Sequence, residues 1–331
     1  MEQRRNSPPS SLSLRKRAGV RGSPPPHKPT SNRQEHPPSQ ASTPPKPAPP
    51  RRGWLKTATL LPTLLVSACA AAQSAARPTQ VLIPTPSVTL RAEFLQPPNP
   101  TRAPAVILLH GCGGPFPACD NQWRDHLAAA GHPVLLPDSF GSRGLGSQCS
   151  VPARTVTPSN ARRQDAIAAA KWLQSQPGIP PGGVVVIGWS NGASTVLATA
   201  RAGQDDLPPG LIRGFVAFYP GCTPYARQDP TRLPWTPAAP MLLLMGAADD
   251  WTPPEPCRAL AAANPGRIQA TFYPGAYHDF DTPNRPIRER SGLAFTANRN
   301  GTAHVGTDPA ARDDALRQVP AFLAALPPAA P

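Results

Sequence analysis

The sequence predicts an α/β fold: a mainly parallel sheet with helices on both faces. Two observations carry that prediction. Short apolar runs bounded by glycine and proline alternate with helical stretches through most of the chain. At one strand-to-helix junction, Gly188-Trp189-Ser190-Asn191-Gly192 places a serine between two glycines in what reads as a sharp turn.

The elements follow in order. Residues 88–95 alternate weakly and read as an antiparallel edge hairpin before the parallel part. Residues 105–109, within PAVILLHG, are continuously apolar and close at His110-Gly111. Such runs suit strands covered on both faces. Residues 133–137, 184–187, 215–219, 241–245 and 268–273 repeat the pattern. Helical stretches lie between and after them, at 122–130, 161–174, 193–202, 255–263 and 309–326. Residues 282–307 are left over and are expected to serve at most as a small cap. No internal repeat is visible.

The chain has 331 residues, 50 prolines and a formal charge of +14. With 39% hydrophobic residues it can supply a core. No apolar run approaches the roughly 20 residues of a membrane-spanning helix, which excludes a polytopic membrane protein. The charge would point to nucleic acid if it were spread over the chain. It is not: residues 1–56 hold twelve Lys/Arg against two Glu, and the remainder carries only +4. Residues 1–50 are therefore expected to be a disordered Pro/Arg-rich leader, or the product of an upstream start. No nucleic-acid partner is expected, because the segment lacks interleaved aromatics.

Arg51-Arg52-Gly53-Trp54-Leu55-Lys56 precedes a short apolar run and resembles a twin-arginine export signal over residues 51–68. Val66-Ser67-Ala68-Cys69 resembles a lipoprotein box, making Cys69 the expected lipidation site and the membrane a partner through that anchor. Ordinary cleavage within residues 70–76 is the alternative. The expected setting is periplasmic or membrane-anchored in a bacterium, or secreted. A linker is expected over 69–85 and one catalytic domain over 86–331.

Ser190 is a weak nucleophile on its own and needs a base. The expected order is serine, acid, histidine. The run at 241–245 ends in Gly246-Ala247-Ala248-Asp249-Asp250, and the run at 268–273 leads to Tyr277-His278-Asp279-Phe280-Asp281. Both are carboxyl ends of strands, where open α/β sheets build their sites. His278 would take the serine proton and Asp249 or Asp250 would hold its imidazole. Asp279 and Asp281 lie too close to His278 in sequence and read as loop solvation or capping. The backbone N–H of Asn191, at the helix start, is one oxyanion donor.

The pieces LLHGCGG, LLPDSFGSRG, RRQDAIAAAKWL, GWSNG, AFYPGC, GAADDWTPPEPC and YPGAYHDFD together resemble the dienelactone hydrolase family of α/β-hydrolases, over roughly residues 86–328. The resemblance implies the α/β-hydrolase fold, ester or lactone hydrolysis, Asp249 as the acid and His278 as the base. It implies the Cys112 N–H as second oxyanion donor; His110 reads as a brace of that loop, with proton transfer as the alternative. Family members that open dienelactones carry Cys at the nucleophile position. This chain carries Ser190, which detaches it from that substrate but not from ester hydrolysis.

Trp189, Phe140 and Trp251 follow strands and are expected to wall a pocket, or to be core aromatics. Arg143 would fork a substrate carboxylate or pair with Asp138 or another rim carboxylate. Cys222 and Cys257 are expected to form a disulfide, and Cys149 to pair with Cys112 or Cys119. His126, His132 and His304 belong to no motif. No spacing implies a metal, and no cofactor is expected. The leading function is a serine hydrolase of small carboxylic esters or lactones. The alternatives are a polyester or cutin-type hydrolase, and a non-catalytic lipid-anchored binding protein on the same fold.

Overall fold

The computed structural model describes residues 77–98, 102–226 and 234–327. The expected leader, signal segment and Cys69 lie outside the described residues. The described residues form ten strands: β1 Thr79–Pro84, β2 Thr89–Leu95, β3 Val106–Leu109, β4 Val134–Pro137, β5 Val184–Trp189, β6 Ile212–Phe218, β7 Met241–Gly246, β8 Ile268–Tyr273, β9 Arg288–Arg290 and β10 Ala303–Val305. The helices are α1 Pro117–Ala129, α2 Ala161–Gln174, α3 Asn191–Ala200, α4 Thr223–Ala226, α5 Pro254–Ala262 and α6 Pro309–Ala325.

The main sheet has eight strands in the order β1-β2-β4-β3-β5-β6-β7-β8. Only β2 runs against the rest, pairing antiparallel with both β1 and β4. Every residue of β3, β5 and β7 is buried, which requires cover on both faces and explains their unbroken apolar runs. α1 lies beside α6, where His126 Nε2 is 3.0 Å from the Leu316 carbonyl. α2 packs on α3. No described helix is long and apolar enough to cross a membrane.

Two expectations are corrected here, and the spare stretch gains a structure. Residues 69–85 are not all linker: β1 lies within them, with Ile83 buried against the sheet between the exposed Leu82 and Pro84. α1 starts at Pro117, five residues before the expected start. Proline at the first helical position needs no hydrogen-bonded N–H and is preset for the helix, and the Phe116 N–H donates to Asp120 Oδ2 at 2.6 Å. Residues 282–307 contain the β9–β10 hairpin. That hairpin is tied to the body where the Ala294 N–H donates to the Cys149 carbonyl and the Gly306 N–H to the His278 carbonyl.

Among the described residues two disulfides form, Cys112–Cys149 and Cys222–Cys257, and Cys119 is free and buried. Cys149 thus selects Cys112 over Cys119. Two such bonds fit a protein that works outside the reducing cytosol.

Candidate active site

β5 delivers Ser190 at its carboxyl end, and α3 begins at the next residue. Ser190 has φ 53° and ψ −113°, a conformation uncommon for a residue with a side chain. Two glycines make this turn possible. A Cβ on Gly188 would sit 2.5 Å from the backbone of Gly192, and one on Gly192 would sit 2.0 Å from the Leu109 carbonyl oxygen.

Ser190, Asp249 and His278 converge. Ser190 Oγ lies 2.9 Å from His278 Nε2. His278 Nδ1 lies 2.7 Å from Asp249 Oδ2. The other carboxylate oxygen of Asp249 accepts the backbone N–H groups of Trp251 and Thr252, both at 2.9 Å. Burial pulls the His278 pKa down, but the charge of Asp249 and its hydrogen bond outweigh it and leave the imidazole above its usual 6.5. Asp250 points elsewhere and accepts the backbone and ring nitrogens of His304, each at 2.8 Å.

The loop after β3 passes close to the serine: a Cβ on Gly111 would be 3.7 Å from Ser190 Cβ. Cys112, Ser190 and Asn191 line one open cavity of about 830 Å3. Asn191 opens α3, where the first backbone N–H groups have no partner within the helix. Arg162, only 1% exposed, locks this corner: it donates to Asn191 Oδ1 at 2.6 Å and to the His110 carbonyl at 2.8 Å. Burial pushes its guanidinium down to about 9. Burial likewise lowers the pKa of His110, whose Nε2 accepts the Ser139 N–H at 3.2 Å.

The expected pocket residues divide. Trp251 lines the large cavity, with its ring 4.8 Å from that of His278. Phe140 does not wall it. It is 1% exposed, edge-on to His110 and beneath the Arg162 guanidinium. Arg143 is not a free substrate fork. Both of its terminal nitrogens donate to Asp165 at 2.8 Å, and that carboxylate is fully buried. The partner is therefore on α2 and is not Asp138. Trp189 borders a second cavity of about 240 Å3 that also reaches Ser190, but its indole N–H is held by Asp281 at 2.7 Å.

That smaller cavity is lined by Arg285, Arg288 and Arg290 from the stretch expected to be spare. Asp279 also faces it and pairs with Arg285 at 3.4 Å. These arginines, Arg162 and Asp281 were not legible as site residues, since none belongs to a spaced motif. Asp281 is a further correction. It is neither solvated nor a cap but fully buried. Burial pushes its carboxyl up, against the hydrogen bonds from Tyr219, Trp123 and Trp189. Among the described residues, no cluster of His, Cys, Asp and Glu could hold a metal.

A mainly parallel eight-stranded sheet with a serine on the turn after β5, an acid after β7 and a histidine after β8 defines an α/β-hydrolase. Solved structures share this fold at low identity. A candidate dienelactone hydrolase from Klebsiella pneumoniae subsp. pneumoniae is 18% identical, with TM-score 0.57, covering 76% of this chain and 100% of its own. A dienelactone hydrolase-like promiscuous phosphotriesterase from metagenomic libraries is 18% identical, with TM-score 0.57 and coverage of 76% and 99%. Thermogutta terrifontis esterase 2, phosphorylated by paraoxon, is 20% identical, with TM-score 0.53 and coverage of 77% and 96%. No curated protein matches the chain. The dienelactone hydrolase family model matches residues 90–326. The chain belongs to the dienelactone hydrolase family and is a carboxylic ester hydrolase.

Proposed function

We propose that the protein cleaves carboxylic esters or lactones through Ser190, His278 and Asp249 by way of an acyl-enzyme. The observation that carries this reading is the pair of contacts at 2.9 and 2.7 Å joining the three side chains in line. Ser190 Oγ adds to the ester carbonyl carbon while His278 Nε2 takes its proton. The N–H groups of Asn191 and Cys112 receive the negative charge that forms on the carbonyl oxygen. The carbon–oxygen ester bond breaks, and the departing alkoxide takes the proton from His278. Water then adds to the acyl-enzyme, again giving its proton to His278. Ser190 leaves with that proton and the carboxylic acid is released. Asp249 holds the ring tautomer and balances the imidazolium.

Two cavities beside Ser190 support a finer reading of the substrate. The larger is bordered by Trp251, Leu293 and Phe295 and takes the bulky apolar part. The smaller, with three arginines against Asp279, takes an anionic part. A panel of soluble esters and lactones, matched with and without a carboxylate, tests both statements. The carboxylate-bearing members should show kcat/KM about tenfold higher. Equal values would remove the arginines from recognition, and no turnover of any member would overturn ester hydrolysis itself.

The pH profile has a defined sign. His278 must be neutral to accept a proton, and its folded pKa lies above 6.5. Activity should therefore climb with pH through an apparent midpoint above 6.5. Asp249→Asn removes the charge that raises the ring and should shift that midpoint down. Activity that fell with pH over the acid limb, or an Asp249→Asn midpoint above that of the wild type, would contradict this account.

A further inference from the structure

Asp281 has no place in the chemistry just described, yet it is a buried carboxylate with three short hydrogen bonds. It is 0% exposed. Its Oδ2 accepts the indole N–H groups of Trp123 and Trp189, both at 2.7 Å. Its Oδ1 accepts the Tyr219 hydroxyl at 2.7 Å. The Cys119 thiol lies 3.6 Å from Oδ2. Burying a carboxylate is costly unless its oxygens are paired, and here three short hydrogen bonds do the pairing.

The donors are placed where the reacting groups are hung. Trp189 is the residue immediately before Ser190. Asp281 itself is three residues after His278. The Tyr219 ring lies 4.5 Å from the His278 ring, and Tyr219 has a strained φ of 40°. The Tyr219 carbonyl is 3.1 Å from the Thr252 hydroxyl, which also lies 3.0 Å from Asp249 Oδ2. One buried side chain thus touches the serine turn, the histidine loop and, through Tyr219 and Thr252, the acid loop. Trp123, on α1, is the indole donor that lies on none of the three catalytic loops, its ring packing 6.0 Å from that of Trp189.

We infer that Asp281 is a positioning residue that sets the register of the Ser190 turn against the His278 loop. This rests on the proposed roles of Ser190 and His278. What the hub supplies is a pair of acceptor oxygens at fixed places. The isosteric Asp281→Asn can keep two acceptor bonds through its oxygen and donate to Tyr219, whose hydroxyl can rotate.

Two matched substitutions separate positioning from plain support. Trp123→Phe and Trp189→Phe each delete one N–H and the same side-chain volume from the same carboxylate oxygen. Both should lower Tm. Only Trp189→Phe should lower kcat for a soluble ester, by roughly tenfold with KM within about twofold, the size of one charge-assisted hydrogen bond. Tyr219→Phe should behave like Trp189→Phe. Asp281→Asn should keep kcat within about threefold, whereas Asp281→Leu should lose far more. If Trp123→Phe and Trp189→Phe change kcat equally, or if neither changes it, the inference is wrong. It is also wrong if a folded Asp281→Asn is as slow as Asp281→Leu. The underlying reading fails separately: Ser190→Ala at wild-type rate would remove the triad and this inference together, while an inactive Ser190→Ala leaves the tryptophan comparison decisive.

Discussion

Ser190→Ala should lower kcat for a soluble ester by about 10^4-fold or more and abolish labelling by a fluorophosphonate probe. The hydroxyl is the atom that makes the covalent bond, and no neighbour reproduces its position at the end of β5. Whatever rate remains comes from the oxyanion donors and binding alone. Adding His278→Ala to this variant should cost little more, because groups that act as one unit are not additive. Structure should be nearly untouched, since the change removes one oxygen and leaves the turn glycines in place. Labelling of the wild type at a tryptic peptide other than that of Ser190 would sink the assignment. So would wild-type turnover by a folded Ser190→Ala. The buried thiol of Cys119 lines the same smaller cavity and would then be examined first, although burial raises its pKa and keeps it in the unreactive thiol form.

The parts of this molecule legible in its sequence are those written as local patterns. β5 and β7 are apolar at almost every position because both faces are covered, and that leaves an unbroken run in the text. α2 matches its expected span, Ala161–Gln174, because its capping and periodic residues are contiguous. The serine turn is legible because its glycines answer a steric demand within five residues. What was not legible depends on meetings across the fold. Asp281 reads as a loop aspartate until Trp123, 158 residues earlier, is brought to it. Arg143 reads as a rim cation until α2 presents Asp165. Arg285, Arg288 and Arg290 belong to no spaced motif in the sequence, and only the fold brings them to one cavity with Ser190. Phe140 looks like a pocket aromatic because it follows a strand, but its side chain turns toward Arg162 and into the interior.

Gly192→Ala should destabilise the domain and cut activity in a single step. The added Cβ would meet the Leu109 carbonyl oxygen at 2.0 Å and the His110 carbonyl oxygen at 2.6 Å. Neither is the tip of a flexible side chain. Leu109 ends β3, whose four residues are all buried between β4 and β5, and Arg162 pins the His110 carbonyl. Overpacking of this kind costs roughly 1–3 kcal/mol or more, about 3–10 °C in Tm for a domain of this size. The same displacement reaches the chemistry, since the end of β3 opens the loop that carries the Cys112 N–H. A shift of about 1 Å there is enough to lose roughly 100-fold in rate. Gly146→Ala is the matched control, because a Cβ there meets nothing within 4 Å. It should stay within about 0.5 kcal/mol of wild type. If Gly192→Ala shows the Tm and kcat of that control, the close approach of α3 to β3 does not hold the oxyanion loop in place, and the steric account of this turn has to be abandoned.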